Sequence, residues 1–347
     1  MIKLVDIAEE LSLSRITVSA VLNNRHKSMG ISDATAERVK SKAKEMGYRR
    51  NQLAMAMKTG KTFSFGVLIG SYQMREWMAQ TLKGGYDTVR TTDYILKVEF
   101  APDITELEAA QERLLGQRIE GLFCLNLHFP PKDGIAFRKA IDKYRVPVIG
   151  SDCTTEFSNC KVSSDNNKAT RLALEHLVEL GHERIAFVGG DTLSEGGLKR
   201  KESFVSLMQE MNLNLPDHYL QSCDWDIKST EQATENLLQA RDQAPTAILG
   251  ASDITAMIIM RHAHKMGFRI PEDLSIIGYS NQSMTELSDP PLTVLDMHHG
   301  EVGRVALQQL VDVADISDPE KRTLSQRTTL IDPDLVLRNS TAAPRRS

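Results

Sequence analysis

The sequence predicts two kinds of structure in one chain: an all-α helix-turn-helix head of about fifty residues, and an α/β body of two doubly wound lobes. Three observations predict it. Up to Gly47 the apolar residues recur at helical spacing, with no strand-like run among them. From Phe63 onward short β-rich runs alternate with helix-length amphipathic segments, the pattern of parallel sheets with helices on both faces. The charge divides at the same place: residues 1–62 hold 12 Lys and Arg against 6 Asp and Glu, whereas the remaining 285 hold 30 against 40.

The head reads as three helices. Leu4, Ala8 and Leu11 share one face of the first, over 5–11, and Ala8 is small enough for another helix to cross closely. Ser14 caps a second helix, on which Val18, Val21 and Leu22 follow i, i+3, i+4 spacing. Ser32 caps a third, Asp33 favours its positive end, and Ala36, Val39, Ala43 and Met46 form its buried stripe until Gly47 ends it. Two helices joined by a tight turn and braced by a third make a helix-turn-helix unit. Within the second helix, Arg15, Ile16 and Ala20 fall on the outward side, where neither charge nor packing explains all three. Residues 48–62 form a basic connector with a brief helix-capable middle. A basic head on an acidic body calls for a polyanionic partner.

The body shows strand signals at 63–70, 94–100, 119–125, 146–151, 184–190, 246–252 and 274–280, with helices at 104–117, 166–180 and 254–266 between them. At this length two stacked lobes are expected rather than one. Such sheets bind ligands at the carboxyl ends of their strands. The residues there are Ser71 and Gln73, Asn126, Ser151 and Asp152, Asp191, Ser252 and Asp253, and Ser280 with Asn281. Hydroxyls, amides and carboxylates suit a polar, hydroxyl-rich small molecule. Nucleotide phosphates would call for GxGxxG or GxxxxGK[ST], and neither is in the sequence.

Several classes are excluded or disfavoured. No run approaches the roughly 20 apolar residues of a membrane span, and "MIKLVDIAEE" carries acids where a signal peptide would be apolar, so the expected location is the cytoplasm. Cys124, Cys153, Cys160 and Cys223 lack zinc-ligand or disulfide-framework spacing. His298-His299, His262-x-His264 and His176/His182 lack a third ligand, so no metal is expected. No nucleophile and base stand together, so no catalytic residue and no cofactor are assigned.

With the helix-turn-helix, the basic connector and the two-lobed body in place, the chain from Ile2 to Ser340 resembles the LacI/GalR family of transcriptional repressors. "VDIAEELSLSRITVSAVLN", "ISDATAERVKSKAKEMGYRRN", "LVELGHERIAFVGG", "MGFRIPEDLSIIGYSN" and "DPDLVLRNS" carry the resemblance, in that order. It implies a body similar to periplasmic sugar-binding proteins, a homodimer or tetramer, double-stranded DNA with a near-palindromic operator as partner, and a small-molecule effector between the lobes. The implied boundaries are 1–49 for the helix-turn-helix and 50–62 for the hinge. The N-terminal lobe takes 63–162 with a return at about 292–326, the C-terminal lobe takes 163–291 with the last strand at about 327–340, and 341–347 is a disordered tail.

Residue by residue, the resemblance makes Arg15, Ile16 and Ala20 the base readers. Arg15 suits guanine O6 and N7, while Ile16 and Ala20 suit thymine methyls. Thr17, Ser19, Asn23, Ser32, Thr35, Tyr48 and Asn51 take phosphate-contacting positions. Met57, beside Lys58, stands where the family wedges a Leu into the minor groove. Arg50, Gln52 and Met55 depart from the family's hinge pattern, and Ser12 stands where many members carry Gly. The implied effector residues are Asp165, Arg200, Trp225, Ser252, Asp253 and Ser280, beside Ser71, Gln73, Asn126 and Asp152 from the strand ends. Ser280 and Ser252 replace an Asp and an Asn common in relatives, which favours a sugar acid or sugar phosphate over a neutral sugar. The competing readings are an α/β enzyme or a plain solute-binding protein fused to the head; the lack of a catalytic constellation and of a signal peptide counts against each.

Overall fold

A computed structural model describes all residues except 1, 24, 49–55, 57–59, 159, 190–193, 241–242, 317–323, 325–326 and 346–347. Asn51, Met57 and Lys58, and Asp191, lie outside the described residues. The chain divides into two units, Met1–Thr62 and Phe63–Ser347.

In the first unit, α1 (Leu4–Glu10), α2 (Arg15–Leu22) and α3 (Asp33–Glu45) enclose a small core of Ile7, Ala8, Val18, Val21, Ala36, Val39 and Ala43. Local chemistry sets the helix starts. Ser14 Oγ accepts the Thr17 amide at 3.0 Å and Ser32 Oγ accepts the Thr35 amide at 3.2 Å, each satisfying a donor that the first turn leaves open. Ser12 turns the chain between α1 and α2 with φ at +52°, a left-handed conformation that glycine adopts more readily.

The second unit holds two six-stranded sheets. β1 (Ser64–Ile69), β2 (Ile95–Phe100), β3 (Leu122–Leu125), β4 (Val148–Ser151), β5 (Cys160–Ser164) and β11 (Arg327–Ile331) form the first, in the order β11-β5-β4-β3-β1-β2 and all parallel. β6 (Ile185–Gly189), β7 (Leu220–Ser222), β8 (Ala247–Gly250), β9 (Ser275–Tyr279), β10 (Thr293–Asp296) and β12 (Asp334–Val336) form the second, in the order β12-β10-β9-β8-β6-β7, with only β12 antiparallel. In each sheet the strand order reverses beside the first strand, between β1 and β3 and between β6 and β8, which opens a crevice at the carboxyl ends.

Helices cover both faces. On the first sheet, α4 (Glu76–Val89) and α11 (His299–Ala314) cover Phe65, Val67 and Ile69, while α5 (Ile104–Gly116) and α6 (Pro131–Asp142) cover Leu68 and Leu122. On the second, α9 (Ile227–Leu238) and α10 (Asp253–Lys265) cover Val188 and Ile276, while α7 (Asn166–Glu179) and α8 (Glu195–Glu210) cover Phe187 and Ile277. α4 and α11 cross almost backbone to backbone: a Cβ on Gly84 would lie 1.8 Å from the Gly300 carbonyl oxygen, and one on Gly303 equally close to that of Thr81.

Three expected boundaries need correction. Residues 327–331 do not join the C-terminal lobe; β11 pairs with β5 of the first sheet, and only β12 belongs to the second. The return to the N-terminal lobe begins at α11 rather than at about 292, because β10 still belongs to the second sheet. The start of the expected disordered tail is bonded in place: Ala342 donates its amide to Ser275 Oγ at 3.0 Å, and His176 Nε2 lies 3.0 Å from Thr341 Oγ1.

Candidate functional site

Each unit carries one candidate site. In the head, Arg15 and Ile16 open α2 and face solvent, Ile16 with 68% of its surface exposed. No hydrogen bond or ion pair engages the Arg15 side chain among the described residues. Ala20 corrects the expectation. It is only 1% exposed and its carbonyl accepts the Arg25 amide at 2.8 Å, so the turn after α2 lies over it and it offers no surface for reading a base. The other expected phosphate contacts among the described residues are short polar side chains together with Tyr48. Thr17 and Thr35 share their hydroxyls with the capping serines Ser14 and Ser32, at 2.8 and 3.0 Å. Asn23 donates to the Ser19 carbonyl at 2.6 Å, and Tyr48 packs against the head core. Every one of them can still accept or donate toward a phosphate, but none carries a charge.

In the body, a cavity of about 520 Å³ lies at the carboxyl ends of both sheets. The strand ends place Ser71 and Gln73 after β1, Asn126 after β3, Asp152 after β4, Ser252 after β8 and Ser280 after β9, and all of them line it. Arg200 from α8 and Trp225 from the segment before α9 complete its C-terminal wall. Asn126, Asp152, Trp225 and Ser280 all have positive φ (57°, 47°, 60° and 123°), and strained backbone of this kind concentrates where side chains must be aimed at a ligand.

Asp165 and Asp253 fall outside the lining. Asp165 caps α7, its carboxylate accepting the Lys168 amide at 2.9 Å. Asp253 is fully buried behind the wall; its Oδ2 accepts the Gln282 amide at 2.8 Å while Oδ1 has no hydrogen-bond partner. Burial pushes its pKa up to about 7, against the pull of that amide and of Arg200 and Arg338. One residue further round the helix than Ser252, it turns into the core instead of the cavity.

Arg200 is held on three sides. Nε donates to Asn166 Oδ1 at 2.9 Å, Nη1 donates to the Ala251 carbonyl at 2.6 Å, and the guanidinium lies 4.8 Å over the Tyr279 ring. Asp152 joins the lobes: Oδ1 accepts the Gly196 amide at 2.9 Å, and Oδ2 sits 3.3 Å from His128 Nε2. Burial alone would raise its pKa, but His128, the Gly196 amide and Arg200 together hold the carboxyl below its usual range. The sequence reading did not include Arg75, Trp77, His128, Glu195, Lys199 or His299, which also line the cavity. Trp77 tilts against His299 with centroids 5.4 Å apart, and burial pushes the His299 imidazole down to about 3, so it is neutral at any physiological pH. The signal for Trp77 was its place in the first turn of a helix entered directly from a strand-end loop; both Trp of the chain, Trp77 and Trp225, line this cavity.

Among the described residues no cluster of three His, Cys, Asp or Glu could hold a metal ion, and no helix is long and apolar enough to cross a membrane.

Comparison with known proteins agrees with this architecture. Residues 3–51 match the model of bacterial regulatory proteins, lacI family, and residues 174–341 match a periplasmic binding protein-like domain. The HTH-type transcriptional repressor CytR of Escherichia coli (strain K12) is 26% identical over 342 residues, covering 97% of this chain and 96% of that protein. PurR of Edwardsiella ictaluri (strain 93-146) is 27% identical over 341 residues, covering 97% and 96%. The crystal structure of the lac repressor dimer bound to operator and the anti-inducer ONPF aligns with a TM-score of 0.77 at 25% identity, over 99% of both chains. The CelR–cellobiose complex aligns with a TM-score of 0.71 over 98% and 100%, a likeness of fold alone at 23% identity. The chain thus carries a lacI-family head on a periplasmic-binding-protein-like body, and transcriptional repressors match it over nearly its whole length.

Proposed function

We propose that this chain is a sequence-specific transcriptional repressor that binds a near-palindromic operator as a homodimer and whose operator affinity is set by a small molecule in the body's cavity. The observation that carries the reading is the outward pair Arg15 and Ile16 on the first turn of α2, where among the described residues no hydrogen bond or ion pair engages the Arg15 side chain, at the point where a recognition helix meets base edges. The cavity supports the second half: it is ligand-sized, polar, and built from both lobes. The relatives named above are repressors, and no catalytic role is assigned to any residue. The effector belongs to the class of sugars and their derivatives, acids and phosphates included. Thr17, Ser19, Asn23, Ser32, Thr35, Tyr48 and Asn51 fix register on the phosphates, and Met57 with Lys58 enters the minor groove. Such a protein works in the cytoplasm, with its operator.

The test is operator selection from genomic fragments followed by fluorescence anisotropy. Arg15→Ala should lower affinity for the selected half-site by about 1–3 kcal/mol and abolish preference for guanine at one position. If base preference survives the substitution, Arg15 is not the reader; if no fragment is bound even at low salt, the regulator reading fails.

A further inference from the structure

We infer that the effector carries an anionic group, phosphate or carboxylate, held between Arg200 of the C-terminal lobe and Arg75 of the N-terminal lobe, with its ring against Trp77 or Trp225. The inference rests on the cavity being an effector site and names what that site selects.

Arg200 carries a guanidinium inside the cavity with no carboxylate within ion-pair distance among the described residues. Its bonds go to neutral acceptors, the Asn166 amide oxygen and the Ala251 carbonyl, and Nη2 makes none. None of the groups around it pairs with it directly among the described residues. Tyr279, beneath it, gives its hydroxyl to the Thr170 hydroxyl at 2.8 Å, and burial raises its pKa to about 12. Asp253 is kept substantially protonated by burial. Asp152 lies within electrostatic reach of Arg200, but its direct contacts go to the Gly196 amide and to His128.

Arg75 lines the same cavity from the start of α4, and its side chain likewise has neither hydrogen bond nor ion pair among the described residues. The remaining carboxylates of the lining are spoken for or wet. Glu195 binds Lys161 at 2.7 Å and Lys199 at 2.8 Å, while Asp224 is exposed at the rim. A partly desolvated cation without a counter-ion is costly, and a ligand anion removes that cost. Two such cations from opposite lobes make the anion a bridge. A neutral sugar could hydrogen-bond to Arg200, but it would leave both charges uncompensated.

The experiment measures binding to the full-length protein by calorimetry and thermal shift. The probes are inorganic phosphate and matched sets: a free hexose, its 6-phosphate and its hexonate; a nucleoside and its 5′-monophosphate. Anionic members should bind roughly tenfold to hundredfold tighter than their neutral partners, with a marked salt dependence. Preference for the phosphate over the hexonate, or the reverse, identifies which anion the pair takes. Arg200→Gln and Arg75→Gln should each remove most of that ratio, and Arg75→Gln, which breaks no side-chain hydrogen bond among the described residues, keeps the test alive if the first variant folds poorly. Neutral members binding as tightly as anionic ones would overturn the inference while leaving the effector cavity standing. Indifference of the wild type to every anion, inorganic phosphate included, would overturn it as well. Operator binding is read separately, so failure of the regulator reading is distinguishable from either result.

Discussion

The buried ion pair across the cleft gives the strongest quantitative prediction. Lys161, on β5 of the N-terminal lobe, has a side chain only 4% exposed; its Nζ sits 2.7 Å from Glu195 Oε1 and 2.8 Å from Oε2, on α8 of the C-terminal lobe. Glu195 is 18% exposed and also binds Lys199, whose side chain is 41% exposed. The two ends are therefore unequal. Glu195→Gln leaves an ammonium buried with a neutral acceptor, and breaking a buried pair in this way costs about 3–5 kcal/mol. For a body of this size about 3 kcal/mol corresponds to a fall of roughly 6–12 °C in the melting temperature. Lys161→Met should cost less, because Glu195 keeps Lys199 and some water, and the double variant should be less destabilised than Glu195→Gln alone. Melting followed by circular dichroism, with the four proteins side by side, measures the cycle. A Glu195→Gln melting temperature within about 1 °C of wild type would refute the reasoning, since it would mean that Lys161 finds water or another partner at no cost.

Three further outcomes are expected. Ala20→Leu adds bulk where the turn after α2 closes, so it should destabilise the head by about 1–3 kcal/mol, seen as earlier loss of operator binding on heating; an unchanged midpoint would return Ala20 to the surface. Ser12→Gly relieves a left-handed backbone at an exposed turn and should stabilise the head by about 0.5–1 kcal/mol after the loss of unfolded-state stiffness is counted. The third concerns pH. Asp253 ionises later in the folded protein, at about 7, than in the unfolded chain, so its contribution to stability is full below about pH 4 and is lost as pH rises to about 7, with at most about 4 kcal/mol at stake. His299 has the opposite sign: with a folded value of about 3, its contribution is present above about pH 6.5 and is lost as pH falls. Urea titrations should therefore show wild type gaining on Asp253→Asn steadily from pH 7 to pH 4; a constant difference would show that Asp253 does not titrate there.

Legibility of the fold followed the range of the forces involved. Strand positions and helix caps were readable because both are local: the apolar runs of β1 to β4 and the serines at 14 and 32 act within a few residues. The cavity was readable through topology, since residues just past parallel strands must converge, and Ser71, Asn126, Asp152, Ser252 and Ser280 do. Readings failed where a non-local contact decided the outcome. Periodicity put Ala20 outside, but the chain returning through Arg25 covers it. The last strand, at about 327–340, was assigned whole to the C-terminal lobe, yet its first part, β11, completes the first sheet against β5, a pairing that no spacing in the sequence encodes. Asp165 was assigned by the family resemblance, and Asp253 by the resemblance and its strand-end position, to a pocket that helix geometry turns them away from.

The contacts between the lobes differ in kind at the two sides of the cavity, and the difference bears on control. Where the chain crosses, Ser164 donates its hydroxyl to the Met297 carbonyl, the Asp165 amide donates to the Ile331 carbonyl at 2.9 Å, and Lys168 pairs with Asp332 at 2.9 Å. The crossing segments are thus bonded side by side and must bend together. Away from them the lobes touch through Glu195 on Lys161, Asp152 on the Gly196 amide, and Glu76 on the Ser283 amide and hydroxyl, at 3.0 and 2.9 Å. These groups regain water when the lobes part, so each bond's net worth is about 1–3 kcal/mol, a size that one bound molecule can match. A ligand shifts such an equilibrium only through its differential affinity for the two arrangements. The anion inferred between Arg200 and Arg75 would have that property, because the two arginines belong to different lobes. An effector held by one lobe alone would bind without moving anything.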